Sequence, residues 1–401
     1  EQILGRGRFH EIADAANMAV DAVSYQPPQN SLLFLHSEGI IQLDKLEFVR
    51  MNTMNFSVQF KVRGDDFGGH FINGISMADS ESFWKCKLVS ADDEKNVYES
   101  SDGYKITAYH IKKGDVFECY TVFENNTDSV VTLDMISSFA ITDLDFDTLH
   151  RATSFWSAEG KMLSQKMTDL NMERSWSGHG IRIEKFGQVG SMPVRKWFPF
   201  VAIENSEKNE FIGVQLYIPS SWQIELFRHK EPLTLLGGLA DFDYGHWCKE
   251  IKPNESFTTP KAVVAVGDSL LKVCDMLVKA QNPDISPVDE DLPVIFNEYC
   301  TSWGNPTIEN LEKTAKKLQG SGVKYLVMDS GWYKEDGKEW WDTIGDWNVN
   351  KSQFPDGLKP VCDMIKSYGL IPGIWFEMEN VAPLSQIYNE TDHLLSRMGT
   401  P

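Results

Sequence analysis

Apolar and polar residues alternate with a period of two through much of the first 268 residues. Residues 56–62 carry Phe, Val, Phe and Val at every second position, and the alternation returns at 117–123 and, after an Asn-Asn-Thr-Asp turn, at 131–135. Successive side chains of a strand point to opposite faces, so this pattern predicts strands with one buried and one solvated face. Many such strands, with few long helical stretches, predict a large antiparallel β-sandwich over residues 1–268.

The periodicity changes after Pro293. Short apolar runs now alternate with stretches whose apolar residues recur at helical spacing, and Gly320, Gly322 and Gly369 end those stretches. The predicted order is strand, helix, strand, helix, strand, with the elements near 293–299, 307–319, 323–328, 358–368 and 371–376. This order is typical of a parallel α/β structure.

A linker separates the two patterns. Residues 269–281 predict a helix, and residues 282–293 then combine three prolines with a run of acids. We therefore predict three parts: a sandwich domain at 1–268, a linker at 269–292 and an α/β segment at 293–401.

Acidic and aromatic residues follow the predicted parallel strands. Asp329 and Trp332 come after the second strand, and Glu377 and Glu379 come after the third. In a parallel α/β barrel the carboxyl ends of the strands carry the binding groups. Carboxylates accept hydrogen bonds from hydroxyl groups and indole faces pack on sugar C–H groups, so the pattern favours a sugar site. The alternative is that Asp329 caps a turn and the tryptophans belong to the core.

Charge and cysteine content narrow the function classes. The formal net charge of −20 disfavours nucleic acid and anionic membranes as partners. No apolar run is long enough to span a bilayer. The six cysteines form no Cys-x-x-Cys pair, which favours reduced thiols and a cytoplasmic location. The sequence shows no dinucleotide or phosphate-loop motif and no complete set of metal ligands, so we expect no cofactor and no metal.

Four segments together resemble glycoside hydrolase family 36, the melibiase-type α-galactosidases of clan D and their α-N-acetylgalactosaminidase relatives. They are Asp329-Ser-Gly-Trp332, Ile344-Gly-Asp-Trp-Asn-Val-Asn350, Phe354-Pro-Asp-Gly-Leu358 and Gly373-Ile-Trp-Phe-Glu-Met-Glu379. The resemblance implies a β-sandwich followed by a (β/α)8 TIM barrel. Only three barrel strands are predicted before Pro401, so we expect a barrel truncated after about three strands.

The resemblance also implies a reaction. The family releases terminal α-linked galactose with retention, using a nucleophilic Asp after the fourth barrel strand and an acid/base Asp after the sixth. Neither the Lys-Trp-Asp-like motif that carries the nucleophile in the family nor the motif of the acid/base Asp occurs in residues 1–401. We therefore assign no catalytic residue to this chain and predict that residues 1–401 alone are inactive.

Substrate-binding residues are carried over from the same resemblance. Asp329 matches the first acid of the family's Asp-Asp-Gly-Trp motif, whose acids bind the galactose 4- and 6-hydroxyls, and Ser330 replaces the second. Trp375 matches a tryptophan of the family's pocket. The remaining candidates are Trp332, Trp347 and Asp346, with Glu377 and Glu379 in supporting roles. Asp346 could instead form an Asx-turn, and the two glutamates could instead form structural salt bridges.

Other readings of the sequence stay open. Asn297-Glu-Tyr departs from the Trp-Glu-Ala form that we associate with ordinary α-galactosidases, which gives some support to an α-N-acetylgalactosaminidase. A transglycosylating relative and a non-catalytic sugar-binding module are further alternatives. A gene that continues past Pro401 into a Lys-Trp-Asp-like motif would favour the enzyme over the module. By resemblance, we expect an α-galactoside or α-N-acetylgalactosaminide oligosaccharide as substrate, and a homo-oligomer, often a tetramer.

Overall fold

The computed structural model describes residues 54–394, except for 68–70, 73, 157, 174–179, 230–231, 284 and 288–289. Residues 1–53, which the sequence analysis assigns to the sandwich, lie outside the described part. The strands before the linker are β1 Asn55–Ser57, β2 Phe60–Val62, β3 Phe71–Ile72, β4 Cys86–Ala91, β5 Lys95–Ser100, β6 Tyr104–Lys113, β7 Val116–Asn125, β8 Val131–Leu144, β9 Thr148–Thr153, β10 Lys161–Lys166, β11 Gly180–Gln188, β12 Phe200–Asn205, β13 Glu210–Leu216, β14 Trp222–His229, β15 Leu233–Leu239, β16 Lys249–Ile251, β17 Ser256–Thr258 and β18 Ala262–Gly267.

These strands form two large sheets. The first runs β1-β8-β15-β14-β11-β3, with β2 and β16 also paired to β8. The second runs β10-β9-β12-β13-β18-β7-β6-β5-β4, with β17 paired to β7. All pairings are antiparallel except that of β11 with β3.

The two sheets share an apolar core. Phe60 of the first sheet meets Phe123 of the second edge-on, with ring centroids 5.9 Å apart, and neither ring reaches solvent. Leu133, Ile136 and Ile106 complete the same cluster. Burial of these side chains removes apolar area from water, and this stabilises the fold by about 25 cal/mol per Å² of buried apolar area. The predicted antiparallel sandwich is therefore observed in the described residues.

The helices are α1 Glu81–Trp84, α2 Phe242–Gly245, α3 Leu270–Gln281, α4 Tyr299–Ser302, α5 Ile308–Leu318 and α6 Lys359–Ser367. Helix α3 corresponds to the predicted linker helix, and Ser269 caps it by accepting the Lys272 N–H. Its buried residues Val273 and Leu277 pack on the second sheet, where Gly213 leaves room for both side chains.

The last sheet is parallel and consists of β19 Val294–Asn297, β20 Val323–Met328 and β21 Ile371–Ile374, in that order. Helices α5 and α6 cover one face through Leu311, Ala315, Val361 and Ile365, which pack with Leu326 of the central strand. Thr307 caps α5 by accepting the Asn310 N–H, as its position before the apolar repeat predicts. The predicted strand–helix–strand–helix–strand order is confirmed.

Within the described residues, no helix combines the length and apolar character needed to cross a membrane. All six cysteines are free thiols.

Candidate functional site

The carboxyl ends of the three parallel strands lie side by side. Asn297 is the last residue of β19 and pairs in register with Val327 of β20. Asp329 directly follows β20, and Trp375 directly follows β21 and donates its backbone N–H to the Met328 carbonyl at 2.9 Å. Strand pairing thus brings together residues that are far apart in sequence.

Asp329 is the centre of this edge. Its Oδ2 accepts a hydrogen bond from Asn297 Nδ2 at 2.6 Å, and its Oδ1 accepts the Ser330 N–H at 2.6 Å. A carboxylate oxygen has two lone pairs, so each oxygen keeps acceptor capacity for a ligand hydroxyl. Asp329 is 9% exposed. The carboxylate is therefore held in one orientation at the boundary between core and solvent.

Glu298 supports Asp329 from the neighbouring strand. Its Oε1 accepts the Asp329 N–H at 3.1 Å, and its side chain is buried. Burial raises the pKa of Glu298, with the nearby Asp329 carboxylate acting in the same direction. The sequence analysis did not select Glu298 or Asn297 as site residues, although both stand where the first parallel strand ends.

Ser330 and Gly331 lie on the buried side of the Asp329 loop. Ser330 has no exposed surface, and its Oγ makes no hydrogen bond to any described residue. Gly331 has φ +98°, and a Cβ at this position would lie 2.0 Å from the Gly304 carbonyl oxygen. Only glycine fits there, because both the backbone conformation and the contact exclude a side chain.

The predicted tryptophans occupy different environments. Trp332 is 2% exposed and donates its Nε1–H to the Trp375 carbonyl at 3.0 Å. Trp347 stacks on Trp332 with centroids 6.1 Å apart and ring planes at 23°. Trp375 is half-buried at the strand edge. Trp332 is thus a core residue, whereas Trp347 and Trp375 are both half-buried.

Tyr333 is a second group that the sequence analysis missed. Its ring is buried, and its hydroxyl makes no hydrogen bond to a described residue. Burial raises the pKa of Tyr333, and the carboxylates of Asp329 and Glu377 add to this effect. The phenol therefore stays protonated and keeps a free O–H donor close to two acids.

Two of the remaining predicted acids, Asp346 and Glu377, accept backbone N–H groups. Asp346 accepts the N–H groups of Gln386 and Ile387 at 2.7 and 3.2 Å, which ties it to a turn 40 residues later. Glu377 accepts the Glu379 N–H at 3.1 Å. Neither glutamate forms an ion pair within the described part of the chain. Asp346 therefore anchors a distant segment, and the two glutamates remain candidates beside Tyr333.

Two open grooves flank the strand ends. One, of about 360 Å³, is lined by Tyr333, Asp336, Asp346 and Asn350 among others. The other, of about 370 Å³, includes Ser191 of the sandwich together with Glu379 and His393. Asp329 lines neither groove. No cluster of three potential metal-ligating side chains occurs among the described residues.

The carboxyl ends of the three parallel strands thus carry acids and indoles, which are groups able to bind sugar hydroxyls and pack on sugar C–H faces. Residues 256–399 match the model of the family described as Melibiase. This match bears out the resemblance to glycoside hydrolase family 36 over residues 256–399.

Curated relatives include α-galactosidase Mel36A of Lactobacillus acidophilus, which is 26% identical over 239 residues, covering 57% of this chain and 32% of the relative. An Escherichia coli α-galactosidase is 31% identical over 110 residues, covering 27% of this chain and 15% of the relative. The chain thus spans about a third or less of the length of these relatives.

Solved structures agree with the fold. The family 36 α-galactosidase AgaB of Geobacillus stearothermophilus superposes with a TM-score of 0.64 at 19% identity, covering 86% of this chain and 47% of that one. The Lactobacillus brevis α-galactosidase gives 0.63 at 16% identity, covering 87% and 45%.

Proposed function

We propose that the protein containing this chain is a retaining exo-glycoside hydrolase that releases terminal α-linked galactose from oligosaccharides or glycoconjugates, and that this chain supplies part of the substrate site. The observation that carries the proposal is the Asp329 carboxylate, fixed by Asn297 and Ser330 at the strand ends with acceptor capacity left over. Relatives described as α-galactosidases support it, as does a solved relative in complex with raffinose.

In this proposal the parallel sheet is part of a (β/α)8 barrel. Helices α5 and α6 cover one face, whereas Ile295 and Ile374 on the strands are 60% and 39% exposed. Apolar side chains on both faces are typical of a parallel sheet that is covered on both sides. Further strands closing a barrel would bury these residues. The division into a sandwich at 1–268, a linker at 269–292 and a barrel segment at 293–401 belongs to the same proposal.

The catalytic carboxylates are not assigned within this chain. Retention requires two carboxyl groups about 5–5.5 Å apart, one as nucleophile and one as acid/base. The proposed role of this chain is to bind the terminal sugar through Asp329 and Trp375, with Ser330 behind the Asp329 carboxylate and with Trp332, Trp347, Asp346, Glu377 and Glu379 shaping the site. A cytoplasmic location and a homo-oligomeric state remain predictions.

An α-N-acetylgalactosaminidase is the second candidate. Ser330 provides no carboxylate where the resemblance expects the acid that binds a sugar hydroxyl. Asn297 adds an amide beside Asp329. These two differences favour a sugar whose substituents near Asp329 differ from those of galactose.

The test is an assay of the intact protein on p-nitrophenyl α-galactoside, p-nitrophenyl α-N-acetylgalactosaminide and, as a control, p-nitrophenyl β-galactoside. We expect turnover of an α-glycoside and none of the β-glycoside, with the α-anomer formed first by NMR. Turnover of neither α-glycoside by folded protein would overturn the hydrolase proposal.

A further inference from the structure

A serine, a histidine and a glutamate on three neighbouring strands of the second sheet form a hydrogen-bonded line. Ser164 Oγ of β10 lies 2.8 Å from His150 Nδ1 of β9, and His150 Nε2 lies 3.0 Å from Glu204 Oε2 of β12. We call these three residues the Ser164 triad. They belong to the sandwich, and the proposed sugar site uses none of them.

Strand pairing brings the three side chains to one face of the sheet. Ser164 lies directly opposite His150 in the pairing of β10 with β9. On the other side of β9, His150 lies opposite Ala202, and Glu204 follows Ala202 by two residues. Side chains two residues apart on a strand share a face, so the register of the sheet assembles the triad.

The hydrogen-bond partners fix the proton of the imidazole ring. A carboxylate only accepts hydrogen bonds, so His150 Nε2 carries the proton that bonds to Glu204. Nδ1 of the neutral ring is then an acceptor, and Ser164 donates its O–H to it. His150 is 5% exposed, and its ring packs on Phe211 with centroids 5.9 Å apart, which sets its orientation. A hydroxyl that donates to an oriented neutral imidazole is the arrangement that activates a serine nucleophile.

Ser164 is open to solvent, unlike its buried partner. It is exposed, and β10 is the outermost strand of the second sheet, with β9 as its one neighbour in the part of the chain that the structure describes. The Met167 N–H bonds to the Asp147 carbonyl at 2.8 Å, so the antiparallel alternation makes Ser164 and His150 a non-hydrogen-bonded pair. The Ser164 N–H therefore points to the open edge of the sheet. There it can donate to the oxyanion of an acyl group attached to its own Oγ.

The surroundings of Ser164 favour a small, uncharged substrate. Met162 stands two residues before Ser164 on the same face and is 37% exposed, so its apolar side chain can contact a short acyl chain. Glu204 and the net charge of −20 repel an anionic substrate.

The alternative role of the triad is structural, as a cross-strand hydrogen-bond network. An exposed hydroxyl can bond to water instead, so the contact of Ser164 with His150 adds little to the stability of the fold. A structural network also leaves Ser164 no more reactive than any other exposed serine. Serine reactivity therefore separates the two roles.

We propose that the Ser164 triad is a second active site, which hydrolyses small uncharged carboxylic esters through an acyl-enzyme. This inference does not rest on the proposed hydrolysis of α-galactosides. Ser164 is the nucleophile and His150 the general base, whereas Glu204 is a positioning residue that orients the imidazole.

The reaction has two steps. In the first, Ser164 Oγ bonds to the ester carbonyl carbon and gives its proton to His150 Nδ1, which passes that proton to the leaving alcohol as the ester C–O bond breaks. In the second, a water molecule gives a proton to Nδ1 and its oxygen bonds to the acyl carbon. The acyl–Oγ bond then breaks, Oγ takes the proton back, and a carboxylic acid leaves.

The experiment measures the reactivity of Ser164 in the intact protein. A fluorophosphonate probe with peptide mass spectrometry reports covalent labelling, and p-nitrophenyl acetate reports ester hydrolysis. The variants are Ser164→Ala and His150→Gln, with Ser206→Ala as the matched control, because Ser206 is an exposed serine whose Oγ donates to Asp147 rather than to a histidine.

We expect the probe to label Ser164 in the parent and in Ser206→Ala, and to leave Ser164→Ala unlabelled. His150→Gln should slow labelling and ester hydrolysis by about a hundredfold or more, because the general base is lost. Glu204→Gln should lower kcat with KM unchanged, and Glu204→Asp should recover part of that loss, which a merely structural carboxylate would not produce.

Three results would overturn the proposal. They are folded parent protein that takes no label at Ser164, labelling that proceeds at the parent rate in His150→Gln, and ester hydrolysis by Ser164→Ala that equals that of the parent. Thermal unfolding checks that each variant is folded. Because His150 is buried, Ser164→Ala, which alters an exposed residue, decides the question if His150→Gln does not fold.

Discussion

Asn297 donates its side-chain amide to Asp329 Oδ2 across 2.6 Å, which joins the ends of two adjacent parallel strands. Glu298, the next residue, accepts the Asp329 backbone N–H at 3.1 Å. Two consecutive residues of one strand end therefore hold both the carboxylate and the backbone of the acid on the next. Because these hydrogen bonds fix the Asp329 carboxylate in advance, it can bind a hydroxyl group without a further loss of side-chain freedom.

The contact between Gly331 and Gly304 predicts that alanine substitution costs more unfolding free energy at Gly331 than at a glycine without such a contact. Gly337 also has a left-handed φ of +79°, but a Cβ there would meet no atom within 4 Å. Gly337→Ala should cost about 1–2 kcal/mol of unfolding free energy from backbone strain alone. Gly331→Ala should cost about 2–4 kcal/mol because the clash with Gly304 is added. Urea denaturation followed by tryptophan fluorescence measures both, and equal losses would show that the contact is not tight.

Glu298 predicts a pH effect on stability. Its pKa is raised in the folded protein by burial, so the native state holds a proton that the unfolded chain releases at lower pH. The stability from this proton is full below the unfolded pKa, near pH 4, and is lost as pH rises through the raised folded pKa. The glutamine side chain of the Glu298→Gln variant cannot ionise. The unfolding free energy of this variant should therefore fall less steeply as the pH rises.

The control for that prediction is Glu309→Gln, which alters an exposed glutamate in the first turn of α5. Unfolding free energies of the parent and both variants are compared between pH 4 and 8. The same pH slope in Glu298→Gln and the parent would show that Glu298 titrates normally in the folded state.

Much of the fold follows from sequence patterns because local periodicity determines it. The alternation at 117–123 and the cap at Thr307 depend on neighbouring residues only. The solvated face predicted at 56–62 is wrong, because Gln59 and Lys61 are buried together with the apolar residues between them. The role of Asp346 could not be predicted, because its backbone partners lie 40 residues later. The contacts of Asn297 and Glu298 with Asp329 were missed for the same reason, since they depend on the register of two strands.

Ser330 predicts a change in sugar preference. Its hydroxyl is buried and makes no hydrogen bond to the described residues, so Ser330→Ala should change unfolding free energy by less than about 1 kcal/mol. Ser330→Asp adds a carboxylate beside Asp329 and should shift the ratio of kcat/KM among aryl α-galactoside, α-N-acetylgalactosaminide and the 6-deoxy galactoside. Identical ratios in Ser330→Asp and the parent would exclude Ser330 from sugar selection.

Galactose binding to the intact protein, with and without the Asp329 carboxylate, tests the central claim most directly. Titration calorimetry should show that Asp329→Ala weakens galactose binding by about 1.5–3 kcal/mol, because a hydrogen bond to a charged group is lost. Asp363→Ala, which removes an exposed acid of α6, should bind galactose like the parent. Unchanged galactose affinity in folded Asp329→Ala would contradict the assignment of this strand edge as the sugar site.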